Sequence, residues 1–266
     1  MTSKLRWPVI AAAMLFLGAA VPAWADFTLN MPVGVTTSSR EIYELHMIIL
    51  GVCAVIGAAV YTAMIIAIVK FRKSAGAKPA TFTHNTTVEV VWTAIPAVIL
   101  VAMAVPAAET LVRIEDTRNS EITIKVTGYQ WRWHYDYLDQ DVSFFSTLDR
   151  ESNAARRLNS GIDPLTVENY LLAVDNPVVV PVDTKVRLLV TGADVLHAWW
   201  VPELGVKKDA VTGFINETWF LADTPGTYRG QCAELCGMDH GFMPIVVEVT
   251  SREEYDAWLA AQRERN

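Results

Sequence analysis

Cysteine and histidine are scarce in this chain, which has three cysteines and five histidines among 266 residues. The pattern Cys-x-x-Cys-His is absent, which argues against a covalently attached c-type haem. Internal repeats and low-complexity tracts are absent as well. The few cysteines are nevertheless concentrated, since two of them lie with one histidine in QCAELCGMDHGFM, residues 231–243. That stretch is therefore the first candidate for a functional site.

Charged residues are missing from two long apolar runs. Residues 46–69 contain no Asp, Glu, Lys or Arg, and residues 88–108 contain only Glu89. Each run is long enough to cross about 30 Å of hydrocarbon at about 1.5 Å per residue. We therefore predict two transmembrane helices at these positions.

Acidic residues are missing from the segment between the two runs. Residues 70–87 carry Lys70, Arg72, Lys73 and Lys78 and no acid. The positive-inside rule predicts that this loop is cytoplasmic, which places both ends of the helical hairpin outside. We expect a multi-pass protein of a bacterial inner membrane, with its termini and its main domain in the periplasm.

The N-terminus is typical of a secretory signal. Lys4 and Arg6 precede an apolar stretch too short to span a bilayer comfortably, and the tripeptide AWA before Asp26 fits a cleavage site. We predict a signal peptide at residues 1–25, followed by a periplasmic segment at residues 26–45. A retained N-terminal anchor is the alternative interpretation.

The character of the sequence changes after the second apolar run. β-Branched and aromatic residues partly alternate there, separated by clusters of Gly, Pro, Asn and Asp. This pattern predicts an all-β sandwich or Greek-key domain over residues 109–250. Residues 251–266 are predicted to form a closing helix with Ser251 as its N-cap. The polar residues 146–165 predict a long surface loop.

The stretch at 231–243 spaces possible metal ligands regularly. Cys232 and Cys236 are four residues apart, His240 follows four further on, and Met243 three after that. A disulfide in an oxidising compartment is one interpretation, and a structural zinc completed by a distant histidine is a second. Zinc has no use for a thioether, whereas copper accepts one. Mononuclear copper would need one thiolate fewer, so two coppers sharing both cysteines would use the whole set.

A dinuclear site needs a second histidine from elsewhere in the chain. His46 and His84 lie in or beside the predicted membrane part, and the alternation around His134 favours a surface position. His197, in TGADVLHAWW, lies at a predicted strand end and is followed by aromatic residues suited to enclosing a site. We therefore favour His197 over His134 as a ligand.

Three motifs resemble subunit II of a haem-copper cytochrome c oxidase with a dinuclear copper A centre: VLHAWWVPELGVKKDA, GQCAELCGMDHGFMPI and GYQWRWHYDY. The resemblance covers nearly the whole chain after the signal peptide. It implies a membrane hairpin of two transmembrane helices plus an all-β, cupredoxin-like Greek-key domain. The implied ligands are His197 and Met243 on one copper, His240 and the Glu234 carbonyl on the other, and Cys232 and Cys236 bridging both.

The function that this resemblance implies is electron transfer in a respiratory oxidase. The chain would accept electrons from cytochrome c at copper A and pass them to haem in subunit I, where oxygen is reduced and protons are pumped. As a subunit of this oxidoreductase and translocase, it would carry no oxygen-reducing site of its own. The implied partners are subunit I, other oxidase subunits, cytochrome c and membrane lipid, and no nucleic acid is expected. A quinol oxidase subunit typically lacks the copper ligands, and nitrous oxide reductase lacks the membrane hairpin.

The resemblance also implies roles for two glutamates. The side chain of Glu234 would bind a magnesium or manganese ion shared with subunit I, and carboxylates suit such hard ions. Glu89 would lie at the mouth of the proton path called the K pathway in subunit I. Interfacial acids without any function are the alternative for Glu89.

The aromatic motif is where electrons are expected to arrive. Gln130 and Trp131 match the family residues at which the electron leaves cytochrome c. Alternation predicts a single strand face, which favours burial, composed of Tyr129, Trp131, Trp133, Tyr135 and Tyr137. An exposed Trp131 therefore requires the strand to bulge or end there, which Gly128 would permit.

Acidic residues are expected to attract the partner. Residues 119–250 contain 18 Asp and Glu against 10 Lys and Arg, a balance that favours a basic cytochrome c, although a merely solvated surface is the alternative. We predict that acids close to Trp131 in the sequence steer the partner towards it. The predicted docking acids are Asp136, Asp139 and Asp141, together with Asp175 and Asp194 by resemblance.

Overall fold

The computed structural model describes residues 29–265, so the predicted signal peptide at 1–25 and its cleavage site lie outside the described residues. The chain divides into two compact units, Met1–Pro32 and Val33–Asn266. Within the described residues, the first unit contributes only residues 29–32, which contain no helix or strand. The helices and strands of the described residues all belong to the second unit.

Two long apolar helices form a hairpin. Helix α1 spans Thr37–Lys70 and helix α2 spans Thr86–Ile114. Their most apolar windows have mean hydropathies of 2.5 and 2.2, which suits them to cross a membrane. Both helices extend beyond the predicted spans 46–69 and 88–108, because their additional turns carry polar residues that a hydropathy pattern does not register.

The hairpin is antiparallel and is anchored on the β domain. Arg113, near the end of α2, pairs at 3.1 Å with Glu41, near the start of α1. Thr36, the N-cap of α1, donates its hydroxyl to the Leu204 carbonyl at 3.0 Å. The carbonyl of Arg113 accepts a hydrogen bond from the Trp219 indole at 3.2 Å. These contacts join the start of α1 and the end of α2 to the domain that follows them.

Ten strands form two five-stranded sheets in the part of the chain that the structure describes. The first sheet contains β1 Ile122–Tyr129, β2 Arg132–Tyr137, β3 Val142–Ser146, β5 Val186–Gly192 and β8 Asn216–Phe220. The second contains β4 Val178–Pro181, β6 His197–Val201, β7 Val206–Ala210, β9 Gly226–Cys232 and β10 Pro244–Thr250. Their orders are β3-β2-β1-β5-β8 and β4-β10-β9-β6-β7, with parallel pairs only at β1–β5 and β4–β10.

The hydrophobic core lies between the two sheets. Every second residue of β5 is buried, as the two-residue period of a strand requires. Trp133, Tyr135, Tyr137 and Trp199 are among the largest fully buried side chains, and the Tyr137 hydroxyl donates to the Val179 carbonyl at 2.8 Å. The architecture confirms the predicted fold class, a membrane helical hairpin with an all-β, cupredoxin-like Greek-key domain.

The aromatic motif GYQWRWHYDY forms a hairpin and not one continuous strand. β1 ends at Tyr129 and β2 begins at Arg132, so Gln130 and Trp131 form the turn. The prediction of a single five-residue aromatic face is therefore wrong; only Trp133, Tyr135 and Tyr137 are buried together on β2. Aromatic residues continue to alternate across this two-residue turn, so the alternation alone does not reveal that the strand ends there.

Two further helices lie outside the sheets. The segment 146–165, predicted as a surface loop, contains helix α3, Arg150–Ala155, because the Asp149 side chain accepts from the amides of Glu151 and Ser152. The polar composition of this segment concealed that helix cap. Helix α4, Arg252–Arg263, closes the chain and has the predicted N-cap Ser251.

Candidate metal centre

The candidate ligands converge at one end of the second sheet. β6 begins with His197 and β9 ends with Cys232, and the two strands are antiparallel neighbours with Trp199 opposite Cys232. The loop after β9 returns through a 3-10 turn at His240–Phe242 and reaches β10 just after Met243. Strand pairing therefore brings an upstream histidine to the loop that carries the other candidates.

The two cysteine sulfurs lie at the centre of the cluster. The Sγ atoms of Cys232 and Cys236 are 3.9 Å apart, far beyond the roughly 2.05 Å of a disulfide, and both thiols are free. Cys232 Sγ lies 3.9 Å from Nδ1 of His197 and 3.4 Å from the carbonyl oxygen of Glu234. The ligand atoms of His197, Cys232 and Cys236 all lie within 4.8 Å of one another. The structure does not form the disulfide that cysteine spacing alone allowed.

Cys236 has a matching pair of neighbours. Its Sγ atom lies 3.5 Å from Nδ1 of His240 and 3.5 Å from Sδ of Met243. Each thiol thus has one imidazole nitrogen and one weaker donor beside it. Met243 is 1% exposed, so its sulfur is directed into the cluster, where a zinc ion would leave it without a role. The donor set fits two copper ions that share both thiolates.

The buried environment makes the two thiols unequal. Burial opposes ionisation of Cys232, but hydrogen bonds involving His197 and the backbone outweigh it and lower the pKa of the thiol to about 7. Burial and the neighbouring Cys232 raise the pKa of Cys236 to about 12. A bound cation would favour the thiolate form of both residues, because it offsets the charge that burial penalises.

Asp194 holds the imidazole of His197 from its far side. The Oδ1 atom of Asp194 lies 3.0 Å from His197 Nε2. Its Oδ2 atom accepts a hydrogen bond from the backbone amide of Gln130 at 2.8 Å. Burial lowers the pKa of His197, but Cys232 and Asp194 outweigh burial and raise it above its ordinary value. A carboxylate on the outer nitrogen of a ligating histidine fixes the ring orientation and leaves Nδ1 directed at the metal site. The sequence predicted Asp194 only as a docking acid.

Gln130 and Trp131 contact the metal loop directly. The side-chain amide of Gln130 donates to the Cys236 carbonyl at 2.8 Å, and the Trp131 indole donates to the same oxygen at 3.2 Å. Trp131 is half-buried and packs against the core. The turn between β1 and β2 therefore connects a partly exposed aromatic ring to the backbone of a candidate bridging ligand.

Gly128 provides space for a ligand. A Cβ atom at this position would lie 2.7 Å from Cδ2 and 2.8 Å from Cγ of His197, closer than side-chain carbons approach in folded proteins. The sequence analysis expected Gly128 to permit a strand end near Trp131, and β1 does end at Tyr129, one residue beyond Gly128. The structure gives it a steric role against the His197 ring.

Most of the predicted docking acids lie away from Trp131. Asp139 and Asp141 follow the far end of β2, and Asp136 lies near that end opposite Lys125. Six extended residues span about 20 Å, so these acids lie towards the opposite end of β2 from Trp131, and their steering of a partner towards it stays a prediction. Proximity in sequence did not translate into proximity in space because the intervening residues are fully extended.

Asp175 and the two glutamates occupy different environments. Asp175 accepts from the Thr147 amide and hydroxyl at 2.7 and 2.8 Å. Glu234 is exposed in the metal loop, with its carbonyl directed at Cys232. Glu89 lies in the first turn of α2, where it accepts the Asn85 amide at 3.2 Å. The structure thus separates Glu89 from the metal centre by the whole length of the helix.

Three residues beside the site were missed by sequence reasoning. Asp239 precedes the turn at His240–Phe242 and Phe242 ends it, and Arg156 contacts both of them. Arg156 and Asp239 are 83 residues apart in the chain, so no local spacing signalled their contact.

Comparison with known proteins gives consistent matches over both parts of the chain. The family described as "Cytochrome C oxidase subunit II, periplasmic domain" matches residues 122–250, and "Cytochrome C oxidase subunit II, transmembrane domain" matches residues 22–109. Cytochrome c oxidase subunit 2 of Cereibacter sphaeroides is 40% identical over 233 residues, covering 85% of this chain and 77% of that protein. Its counterpart in Arabidopsis thaliana is 37% identical over 259 residues, covering 97% of this chain and 96% of that protein.

A solved structure is similar to the β domain. The crystal structure of the periplasmic domain of subunit II of cytochrome oxidase from Bradyrhizobium japonicum is 41% identical to this chain. The match covers 56% of this chain and 98% of that one, with a TM-score of 0.49.

Proposed function

The chain belongs to the cytochrome c oxidase subunit II family, and we propose that it accepts electrons from cytochrome c at a dinuclear copper centre for delivery to haem in subunit I. Oxygen reduction and proton pumping belong to the complex, which makes this chain a subunit of an oxidoreductase and translocase. The observation that carries the proposal is the pair of free thiols, each with one imidazole nitrogen and one weaker donor at its side.

The residues of the site favour electron transfer. Copper ions bound here would supply one-electron exchange with the charge shared across two thiolates. The protein holds the donors rigidly: His197 is fully buried, Cys236 is 3% exposed, and the outer nitrogen of His197 is held by Asp194. A rigid donor set keeps the geometry similar in both redox states, which minimises the rearrangement that slows electron transfer.

Trp131 is the proposed point at which electrons reach the chain. Its ring is partly exposed, and its indole nitrogen donates to the Cys236 carbonyl. This contact gives a short route from the surface to a bridging ligand. Gln130 donates to the same carbonyl and stabilises the turn that presents the ring.

Charge is the proposed means by which cytochrome c is attracted. The excess of acids in the β domain provides a long-range field for a basic partner. Asp194 lies in the site itself, and Asp175 is tied to Thr147, a residue that lines the same cleft as Trp131. Asp136, Asp139 and Asp141 contribute to the field from the far end of β2.

The two glutamates have proposed roles towards subunit I. The exposed side chain of Glu234 is available to a magnesium or manganese ion, while its carbonyl faces Cys232. Glu89 marks the end of α2 opposite the β domain, where a proton would enter from the cytoplasm. The basic loop at 70–87 supports that orientation, with the β domain in the periplasm and the helices in the inner membrane.

Copper spectroscopy of the purified oxidase tests this function. The wild-type complex should show the seven-line hyperfine pattern of an electron shared by two copper nuclei in electron paramagnetic resonance. Cys232→Ser should abolish it, because a hydroxyl does not replace a shared soft thiolate. Cys53→Ser is the matched control, since Cys53 is exposed on α1 and outside the site. A four-line pattern in the wild type, or an unchanged spectrum in Cys232→Ser, would contradict the proposal.

A further inference from the structure

The segment between β3 and β4 contacts the metal loop through one side chain. Arg156 follows helix α3, and its two terminal nitrogens donate to the two carboxylate oxygens of Asp239, each at 3.2 Å. Its guanidinium also lies 4.2 Å from the ring centroid of Phe242. One arginine thus binds a carboxylate in a bidentate manner and covers an aromatic ring.

The two residues that Arg156 contacts flank the candidate copper ligands. Asp239 immediately precedes His240, and Phe242 immediately precedes Met243. The turn from His240 to Phe242 is a single 3-10 turn, and no side-chain hydrogen bond caps it at Asp239. Backbone hydrogen bonds close the turn itself, and the contacts of Arg156 add side-chain anchors at Asp239 and Phe242.

Arg156 is itself held in place by the fold. Its Nε atom donates to Asn153 at 2.8 Å. The buried hydroxyl of Ser152 accepts the Leu171 amide at 3.2 Å, and Arg229 on β9 donates to the Leu172 carbonyl at 2.7 Å. The segment between β3 and β4 is therefore fixed to the same strand that ends in Cys232.

The Arg156–Asp239 pair is better placed to act than an ordinary surface ion pair. The side chains of Arg156 and Asp239 are 25% and 26% exposed, and the paired geometry matches the planar fork of guanidinium to both carboxylate oxygens. Exposed single-contact pairs contribute little because water screens them. Arg156, Asp239 and Phe242 line a cleft of about 160 Å³. Trp131 lines the same cleft.

We propose that Arg156 is a positioning residue for the copper centre: it fixes the turn between Asp239 and Phe242 and thereby the placement of His240 and Met243. The proposal rests on the function proposed above, since it concerns the copper that this site would bind. It assigns a role to the segment 146–165, whose purpose the sequence did not indicate.

The test compares two neighbouring arginines in the purified oxidase complex. Arg156→Met removes the ion pair and keeps an apolar stem over Phe242. Arg157→Met is the matched control, because Arg157 is the next residue and is exposed. The measurements are copper content, the rate of copper loss to an added chelator, and the hyperfine pattern. Residues that orient metal ligands typically change metal affinity by about 10-fold to 100-fold.

We expect Arg156→Met to lose copper at least about tenfold faster than the wild type and to show an altered hyperfine pattern. Arg157→Met should behave as the wild type. Asp239→Asn, which keeps the shape of the side chain, should reproduce the effect, and the double variant should add little to it. Arg156→Lys should lose copper at a rate between those of the wild type and Arg156→Met, because lysine keeps the charge but does not make the bidentate contact.

The outcomes separate this inference from the proposed function. A wild-type complex without paired copper would remove the basis of both. Paired copper in the wild type, together with wild-type copper loss in Arg156→Met or in Asp239→Asn, overturns the inference alone. If Arg156→Met does not assemble, the same copper measurements on Asp239→Asn and Arg156→Lys test the inference.

Discussion

Gly128→Ala would place a methyl group against a copper ligand. The added carbon would lie 2.7 Å from Cδ2 of His197, whereas ordinary van der Waals contact begins at 3.4 Å. The ring would therefore have to retreat by about 0.7 Å. His197 is fully buried between Trp133, Cys232 and Asp194, so its imidazole can retreat from the added carbon only by displacing these neighbours.

The size of the effect follows from that displacement. Metal–ligand distances in well-formed sites vary by about 0.2 Å, so a shift of about 0.7 Å takes His197 out of ligand range. Overpacking in a well-packed interior costs about 1–3 kcal/mol. In the copper-free chain the ring relaxes away from the methyl group, and the cost falls on the copper-bound form. Because about 1.4 kcal/mol is a factor of ten, copper affinity should fall about 5-fold to about 140-fold.

The assay is copper loss to a chelator from the purified complex, followed by the copper absorption and the hyperfine pattern. Gly241→Ala is the matched control, because Gly241 lies in the metal loop next to His240 and an added Cβ there meets nothing within 4 Å. Gly128→Ala should lose copper faster and show an altered spectrum, while Gly241→Ala should match the wild type. Equal copper loss in all three proteins would refute the steric reasoning.

Four further predictions concern the remaining sites. Trp131→Ala should slow electron transfer from bound cytochrome c by orders of magnitude with its affinity nearly unchanged and copper retained; unfolding or loss of copper would instead show that the ring serves packing. Glu234→Ala should lose bound manganese and keep copper, because its carbonyl remains, and retained manganese in metal analysis would refute the side-chain role. Glu89→Ala should slow oxidase turnover and leave the copper spectrum unchanged, whereas normal turnover would show that Glu89 serves only as a helix cap. Glu89→Gln can still accept a hydrogen bond from the backbone amide of Asn85 but cannot transfer a proton, so slow turnover in this variant as well would assign the effect to proton transfer. Replacing Asp139 and Asp141 by asparagine should weaken cytochrome c binding at low ionic strength only. The reason is that these acids lie about 20 Å from Trp131 along the strand, beyond the roughly 8 Å screening length at 0.15 M salt. An effect that persists at high salt would contradict a role through the long-range field alone.

The membrane hairpin and the main candidate ligands were predictable because their signals are local. Two apolar runs with a basic loop between them define helices without reference to the rest of the chain. The spacing of Cys232, Cys236, His240 and Met243 places four donors in one loop whatever surrounds it. The N-cap Ser251 is local as well, because the residue that caps a helix is adjacent to it.

Prediction was weaker where the chain turns or extends without a change in composition. The alternation through Gln130 and Trp131 continued in phase across a tight turn, so one predicted strand became two. The acids Asp139 and Asp141 are close to Trp131 in sequence but lie beyond an extended strand. In both cases a pattern with period two does not specify where a strand ends.

Sequence by itself thus determined the class of protein, its two spans and the loop that supplies most of the donors, because hydropathy and short spacing act through neighbouring residues. Tertiary structure alone decided what surrounds those donors. The pairing of β6 with β9 brings His197 to Cys232 across 35 residues, and the segment between β3 and β4 brings Arg156 to Asp239 across 83 residues. Such contacts depend on sheet register and loop closure, which are set by the packing of the whole domain and leave no periodic trace in the residues that make them.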